Sequence, residues 1–399
     1  MEAARTRPMV VAPPWRGEPF GAALFYIAYF ATHGIYLPFF PVFLAGRGLV
    51  ETQIAIVLAI PLAMRMVFAP ATGYAADRMP DKRWALVAFA WAAVAIFGLL
   101  YWAGGFVAIL AVTLGYAVFW TALVPVIDAV TLSLERNKGH SYGKIRLWGS
   151  LAFIVTNVGV GSLLAPDSGE LIFWLLLGGG IATGFAALVA PRARATDVSA
   201  PHPADNTSAS AFRLLTRPAY LTMLLTAALI QATHAMVYGF GTIHWSSIGI
   251  PGWQIGSLWA IGVVAEVFVF AVAGRLLGRF GARGLILIGG IASLVRWLVF
   301  PLVGDFWLLL PLQALHGLTF GATYLGTVQF ISGAIPDRLS ARAQSGNATI
   351  GAILLAASTL ASGPLYAAFG GWGFALMAVL SAAALALYTL ALRLEAGRG

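Results

Sequence analysis

The chain has 399 residues, of which 60% are hydrophobic and only 10% charged, with a mean hydropathy of +0.86 and a formal net charge of +9. Soluble domains carry about 25% charged residues, so this composition excludes an ordinary water-soluble enzyme and points to a polytopic membrane protein. The lack of cysteine excludes disulfides, iron–sulfur clusters and thiolate metal sites.

Residues 1–19 contain Arg5, Arg7 and Arg16 but no apolar core followed by a small-residue cleavage site, so they read as a cytoplasmic tail rather than a signal peptide. Twelve apolar segments follow, at about 20–44, 53–75, 84–103, 106–134, 145–165, 170–190, 218–243, 254–275, 284–303, 306–334, 343–366 and 371–393. Each has roughly the 20 residues a helix needs to cross a bilayer. Between the sixth and seventh lies PRARATDVSAPHPADNTSASAFRLLTR (191–217), rich in Pro, Ser, Ala and Asp, which reads as a flexible cytoplasmic linker. The expected organisation is a tail (1–19), a six-helix bundle (20–190), the linker, a second six-helix bundle (218–393) and a short tail (394–399). The fold class is an all-α membrane protein of twelve transmembrane helices.

Lysine and arginine set the orientation. Arg78, Lys82, Arg83, Arg136, Lys138, Lys144, Arg192, Arg194, Arg213, Arg217, Arg275, Arg279, Arg283, Arg338, Arg342, Arg393 and Arg398 fall on the side of the N-terminal tail, and Arg47 alone falls on the other. The positive-inside rule then makes both termini cytoplasmic. The basic excess is a topology signal, and no nucleic-acid partner is expected.

The chain repeats itself. Ala31-Thr32-His33 returns as Ala232-Thr233-His234, and the same offset of 201 carries Phe39 to Phe240, Arg65 to Glu266, Gly73 to Gly274, Arg78 to Arg279, Asp128 to Gln329 and Arg146 to Asn347. Two related six-helix halves are the architecture of a major-facilitator transporter. GYAADRMPDKR (Gly73 to Arg83) resembles the signature loop of that superfamily, with Gly73 allowing close helix approach and Asp77 with Arg78 forming a cytoplasmic latch. Its counterpart GRLLGRFGAR (Gly274 to Arg283) keeps the glycines and Arg279 but lacks the acid.

Five formal charges fall within the apolar segments: Arg65, Asp128, Arg146, Glu266 and Arg296. Intramembrane charges face a bundle interior or a wet cavity and mark substrate or ion pathways; the alternative is that they only lock helices together. Asp128 and Arg146 lie about equally far from the basic hinge at 135–140. In a tight antiparallel helix pair, a rise of about 1.5 Å per residue brings them to one depth. Three positive charges against two negative ones favour an anionic substrate or call for a protonated partner to balance them. Arg296, beside Trp297, has a structural alternative in pairing with Glu266. His33 and His234 occupy equivalent repeat positions and are candidates to face a shared cavity, and His316 is a candidate for proton transfer. No His or carboxylate spacing suits a metal, and no phosphate loop is present, because Gly178 to Gly180 lie inside a segment. Pro38, Pro41, Pro61, Pro70 and Pro125 are expected to bend their helices.

YGKIRLWGS (Tyr142 to Ser150) and LWAIGVVAEVFVFA (Leu258 to Ala271), with VPVIDA (Val124 to Ala129), THAMVYGF (Thr233 to Phe240) and LHGLTFGA (Leu315 to Ala322), resemble the phenylpropionate permease family. That family belongs to the proton-coupled symporters of the major facilitator superfamily and is similar to lactose and nucleoside permeases. The resemblance implies that Asp128 and Arg146, 18 positions apart, bind substrate with Glu266, and that Arg296 and His316 match an arginine and a histidine of the lactose-permease branch. It also departs from that branch, for Thr319 stands where the sugar permease has its proton-carrying glutamate, which moves that role to Glu266 or Asp128.

The expectation is an inner-membrane symporter, acting as a monomer without cofactor, that brings a small aromatic carboxylate such as 3-phenylpropionate inward with protons. Arg146 or Arg65 would bind the carboxylate, Asp128, Glu266 and His316 would serve proton coupling, and Arg296 would balance charge. Trp120, Trp148, Trp259 and Tyr238 would form apolar walls. A sugar or nucleoside symporter and a drug-exporting antiporter remain open, and a membrane sensor or enzyme would need a signalling domain or catalytic cluster that is not visible.

Overall fold

The computed structural model describes residues 17–164, 168–193 and 215–396. Most of the expected tails and linker, including Arg5, Arg7, Arg16, Arg194, Arg213 and Arg398, lie outside the described residues. A backbone that meets lipid must satisfy its own polar groups, and helices do so within one segment. The described chain is accordingly helical: α1 (Glu18–Gly46), α2 (Glu51–Asp77), α3 (Lys82–Gly98), α4 (Gly105–Lys138), α5 (Tyr142–Leu163), α6 (Gly169–Val189), α7 (Pro218–Ala232), α8 (Ala235–Ser247), α9 (Gly252–Ala271), α10 (Ala273–Val299), α11 (Phe306–Ala314), α12 (Thr323–Ala334), α13 (Asp337–Phe369) and α14 (Gly373–Ala396). Nine helical runs among the described residues are long and apolar enough to cross a membrane, one of which, Arg342–Ala396, contains two helices joined by a short 3-10 turn.

Short polar residues define the ends. The carboxylate of Asp81 accepts the Arg83 amide at 3.0 Å, and Asp305 accepts the amides of Trp307 and Leu308 at 2.9 and 3.3 Å. Both occupy the preferred N-cap position, where helix amides otherwise lack acceptors. The helix α4 stops at Gly139, whose φ of 71° suits a residue without Cβ. The five prolines expected to bend α1, α2 and α4 lie inside continuous helices.

Two interruptions fall elsewhere. The seventh apolar segment breaks at Thr233 and His234 without any proline, giving α7 and α8. The tenth passes from α11 into a π-helical stretch, Gly317–Ala322, before α12 resumes. Such wide turns occur frequently at functional sites.

In the first half, α1 packs on α5 and α6, α3 on α4 and α6, and α2 on α4; in the second, α7 packs on α13 and α14, and α10 on α12 and α14. The halves meet along α5 with α9, α2 with α13, and α1 with α8. Glycines bring two of these pairs backbone to backbone, as in small-residue helix crossings. A methyl added to Gly161 would meet the Gly252 carbonyl oxygen at 2.5 Å, and Gly256 lies directly against the Asn157 carbonyl. A methyl on Gly363 would meet the Glu51 carbonyl oxygen and the Ala55 Cβ, each at 2.6 Å. The repeat offset of 201 takes Glu51 to Gly252 and Ala55 to Gly256, so the two crossings are counterparts.

Both crossings lie at the end of the molecule away from the basic loops. At the basic end Gly73 and Gly274 have nothing within 4 Å of an added Cβ, so the close approach expected at these glycines is not made in this conformation. The halves are thus clamped at one end and parted at the other.

Candidate functional site

A cavity of about 630 Å³ lies between the halves, walled by residues of α1, α2, α4 and α5 on one side and of α8 to α11, the π-helical stretch and α13 on the other. On the first side the wall is aromatic. Tyr29, His33, Tyr36 and Phe40 recur at helical spacing along α1, and the first three line the cavity. Tyr29 stacks on Trp120 at 4.8 Å between ring centroids, Trp120 on Tyr116 at 5.4 Å, and Tyr116 stands 5.9 Å from Tyr36. The Trp120 indole nitrogen and His33 Nδ1 are buried without a partner.

The second wall carries a hydrogen-bonded polar cluster. Glu266 on α9 faces His316 with 3.8 Å between Oε2 and Nε2. Tyr238 stacks 6.2 Å from Trp259, whose indole nitrogen donates to Thr242 at 2.9 Å. Arg296 is 1% exposed, and its two terminal nitrogens donate to Thr319 Oγ1 at 3.2 Å and Gln313 Oε1 at 2.6 Å. Thr319 also bonds His234 Nε2 at 2.9 Å, and Gln231 donates to the Phe320 carbonyl at 3.2 Å. The break in the seventh segment and the π turn of the tenth therefore meet through polar atoms, the setting in which irregular backbone is tolerated at membrane depth.

The cavity brings together Arg65, Arg146, Glu266, His33, Tyr238 and Trp259 with Arg296 and His316. Three of the expected residues sit elsewhere. His234 is fully buried behind the wall and is not among its lining residues. Trp148 also lies outside the lining and packs against the hydrophobic core. Asp128 is the larger departure: its carboxylate is off the cavity wall and accepts the hydroxyls of Tyr26 at 2.6 Å and Tyr142 at 3.2 Å.

The expected Asp128–Arg146 pair does not form. The guanidinium of Arg146 lies instead over the Phe30 ring at 3.8 Å and near Tyr26 at 5.3 Å. The reason is packing: α4 and α5 are sequential, but α5 rests chiefly on α1 and α9 while α4 rests on α3 and α2. Equal depth does not supply a shared azimuth. Nor does Glu266 pair with Arg296; it faces His316 instead. Among the described residues no carboxylate lies within 4 Å of Arg65, Arg146 or Arg296. Three guanidiniums and a single carboxylate line the cavity, so its charge surplus exceeds the one expected with Asp128 present.

At the basic end Asp77 pairs with Lys82 rather than an arginine, and Lys82 also donates to the Ala76 carbonyl at 3.1 Å. Arg78 lies over Tyr74 at 4.4 Å and Arg279 over Phe280 at 5.5 Å. No group of three or more His, Asp or Glu suited to a metal occurs among the described residues. Gln313 and the tyrosines 29, 36 and 116 were not singled out from the sequence. Tyr29 and Tyr36 had a signal in the aromatic stripe of the first segment, whereas Tyr116 on α4 stands outside that stripe and Gln313 is one amide in an apolar run.

A family model described as "MFS_1 like family" matches residues 21–388. The probable 3-phenylpropionic acid transporter of Escherichia coli (strain K12) is 33% identical over 313 residues, 78% of this chain and 81% of the relative. The maltose permease of Geobacillus stearothermophilus is 28% identical over 323 residues, 80% of each chain. Among solved structures, the nucleoside transporter NupG superposes with a TM-score of 0.81 at 15% identity, covering 94% of this chain and 98% of the other. A bacterial homologue of the lysosomal transporter Spinster, inward-facing and unoccupied, gives 0.76 at 14% identity, covering 94% and 96%. The chain belongs to the MFS_1-like family and is a multi-pass membrane protein of the major facilitator type. Its family and relatives are transporters rather than enzymes, and membrane transport is the function it shares with them.

Proposed function

We propose, taking that family membership as premise, that the chain carries a small aromatic carboxylate of the 3-phenylpropionate type inward across a bacterial inner membrane together with protons. The observation that carries this reading is the composition of the cavity: stacked aromatic rings on one wall, and three arginines against one glutamate around it. A ring replaces its water by the faces of Tyr29, Tyr116 and Trp120, while the cationic surplus attracts the charged end. A polyhydroxylated sugar would find few hydrogen-bond partners for its hydroxyls against those ring faces. The 3-phenylpropionic acid relative supports the same class of solute.

The helices of 20–190 and of 218–393 act as two bundles that rock about this cavity, with both termini cytoplasmic and one chain sufficient. The basic end is then the cytoplasmic end, and the present conformation opens inward. Arg65, exposed on α2, and Arg146 draw the anion into the opening. Glu266 and its neighbour His316 carry the proton, because they stand on the wall, whereas Asp128 is held by two tyrosines. When the cavity opens to the other side, Asp77, Arg78 and Arg279 with Gly73 and Gly274 close the basic end.

Exchange in proteoliposomes tests the solute class. Vesicles preloaded with 3-phenylpropionate should take up the labelled acid faster than empty ones, and excess benzoate-type acids should compete while maltose and uridine do not. Competition by the sugar or the nucleoside, without competition by aromatic acids, would overturn the reading.

A further inference from the structure

We propose that the buried corner formed by Arg296 and Gln313 is the seat of the substrate's carboxylate, an assignment that rests on the aromatic-acid reading above. Arg296 is 1% exposed and lies on the cavity wall, yet the acceptors it meets, Thr319 and Gln313, are neutral. Its Nε has no partner. A buried charge left without an opposite charge is strongly destabilising, so this guanidinium is electrostatically complete only when an anion reaches it.

Gln313 adds a second unmatched donor. Its Oε1 accepts from a charged guanidinium at 2.6 Å, which fixes the amide so that Nε2 is the other terminus. That nitrogen is buried, 4% of the residue is exposed, and it too lacks an acceptor. Two adjoining residues of the cavity wall therefore hold buried N–H groups with nothing to receive them. A carboxylate offers two oxygens and a negative charge, and charge-assisted bonds to arginine are the strong ones.

The corner is held in place in advance. The guanidinium lies over the Trp297 ring at 4.6 Å, and Thr319 is gripped between Arg296 and His234. Little side-chain freedom remains to be lost on binding. The other two arginines are less suited to this role. Arg146 rests on Phe30, and Arg65 is exposed, where water weakens its attraction. With the charged end on the second half and the ring against Tyr29 and Trp120 on the first, one solute touches both halves.

The test compares two ligands of nearly equal shape, 3-phenylpropionate and the uncharged 3-phenylpropanamide. Binding to the full chain in lipid nanodiscs is followed by calorimetry at about pH 7.5, well above the carboxylic acid range. The wild-type chain should prefer the acid by about 30-fold. Arg296→Met should bring the acid down to the affinity of the amide measured in the same variant, and measurable amide binding there shows that the cavity is intact. Gln313→Met should cut the preference by several-fold and serves if Arg296→Met does not fold. Retention of the full preference in either folded variant overturns the assignment and leaves the aromatic-acid reading standing. Equal wild-type affinity for acid and amide overturns the assignment together with the charged-end part of that reading. Binding of neither ligand overturns both. Chloride that displaces the acid at equal concentration would assign the corner to an inorganic anion and overturn the carboxylate.

Discussion

The two walls of the cavity are built on opposite plans. The first, from α1 and α4, is a stack of rings, with His33 Nδ1 and the Trp120 indole nitrogen buried in it without partners. The second, from α8 to α11 and the π-helical stretch, is a hydrogen-bonded network through His234, Thr319, Arg296 and Gln313, with Glu266 and His316 beside it. The helices follow the same division. Wall-forming α1 and α4 run unbroken through their prolines, whereas the seventh and tenth segments break where the polar atoms gather. An apolar wall asks nothing special of its backbone; a network of buried donors and acceptors needs the extra groups that an interrupted helix exposes. The stacked rings thus belong to the first half and the hydrogen-bonded network to the second, while Arg65 and Arg146 add charge from the first.

The clamp that brings the walls together gives the largest expected effect. Gly256→Trp places a bulky side chain against the Asn157 carbonyl, where even a Cβ does not fit. Transport should be abolished, because the α5–α9 crossing can no longer close. The chain has no native cysteine, so Ser150→Cys on the cavity wall gives a background-free label site. Impermeant thiol reagent added at the clamped end should react at least about tenfold faster in the Gly256→Trp background, given the two-state behaviour of packed interfaces. An unchanged rate would mean that the crossing is not what seals that end.

Next in size is the aromatic wall itself. Trp120→Ala removes the ring stacked at 4.8 Å on Tyr29. Aromatic pairs contribute about 0.5–1.5 kcal/mol beyond the area they bury. Affinity for 3-phenylpropionate and its amide should fall together, by about tenfold. A loss confined to the acid would show that the two walls do not divide ring and charge.

A smaller effect is expected away from the cavity. Tyr26→Phe removes the shorter of the two hydroxyl donors to Asp128. Hydrogen bonds to charged groups contribute about 1.5–3 kcal/mol, so thermal unfolding in detergent should shift downward while substrate affinity stays within about twofold. A large loss of affinity with no loss of stability would return Asp128 to the binding site.

These expectations show which features the sequence carries openly. The apolar segments and the offset of 201 were legible because lipid and the repeat both act along the chain, and the offset relates Gly252 and Gly256 to Glu51 and Ala55 at the two clamps. The charges Arg65, Arg146, Glu266 and Arg296 were legible because ions are rare in apolar segments, and all four line the cavity. Asp128 was misplaced because spacing fixes depth and not the side of a helix, and α4 turns that side toward Tyr26 and Tyr142. The break at His234 has neither proline nor glycine beside it; there Thr233 and His234 bond the carbonyls of Ile230 and Gln231, and His234 bonds Thr319 across the fold. Gln313 matters through Arg296, a contact across 17 residues that no local pattern announces.

Proton-coupled uptake is tested most directly by following labelled 3-phenylpropionate into proteoliposomes under an imposed pH gradient, acid outside, beside protein-free vesicles that report passive entry of the neutral acid. Coupling through Glu266 predicts accumulation above the protein-free level that a protonophore abolishes, and predicts that Glu266→Gln loses accumulation while still exchanging internal for external acid. Accumulation that survives the protonophore, or that Glu266→Gln carries out at the wild-type level, would contradict it.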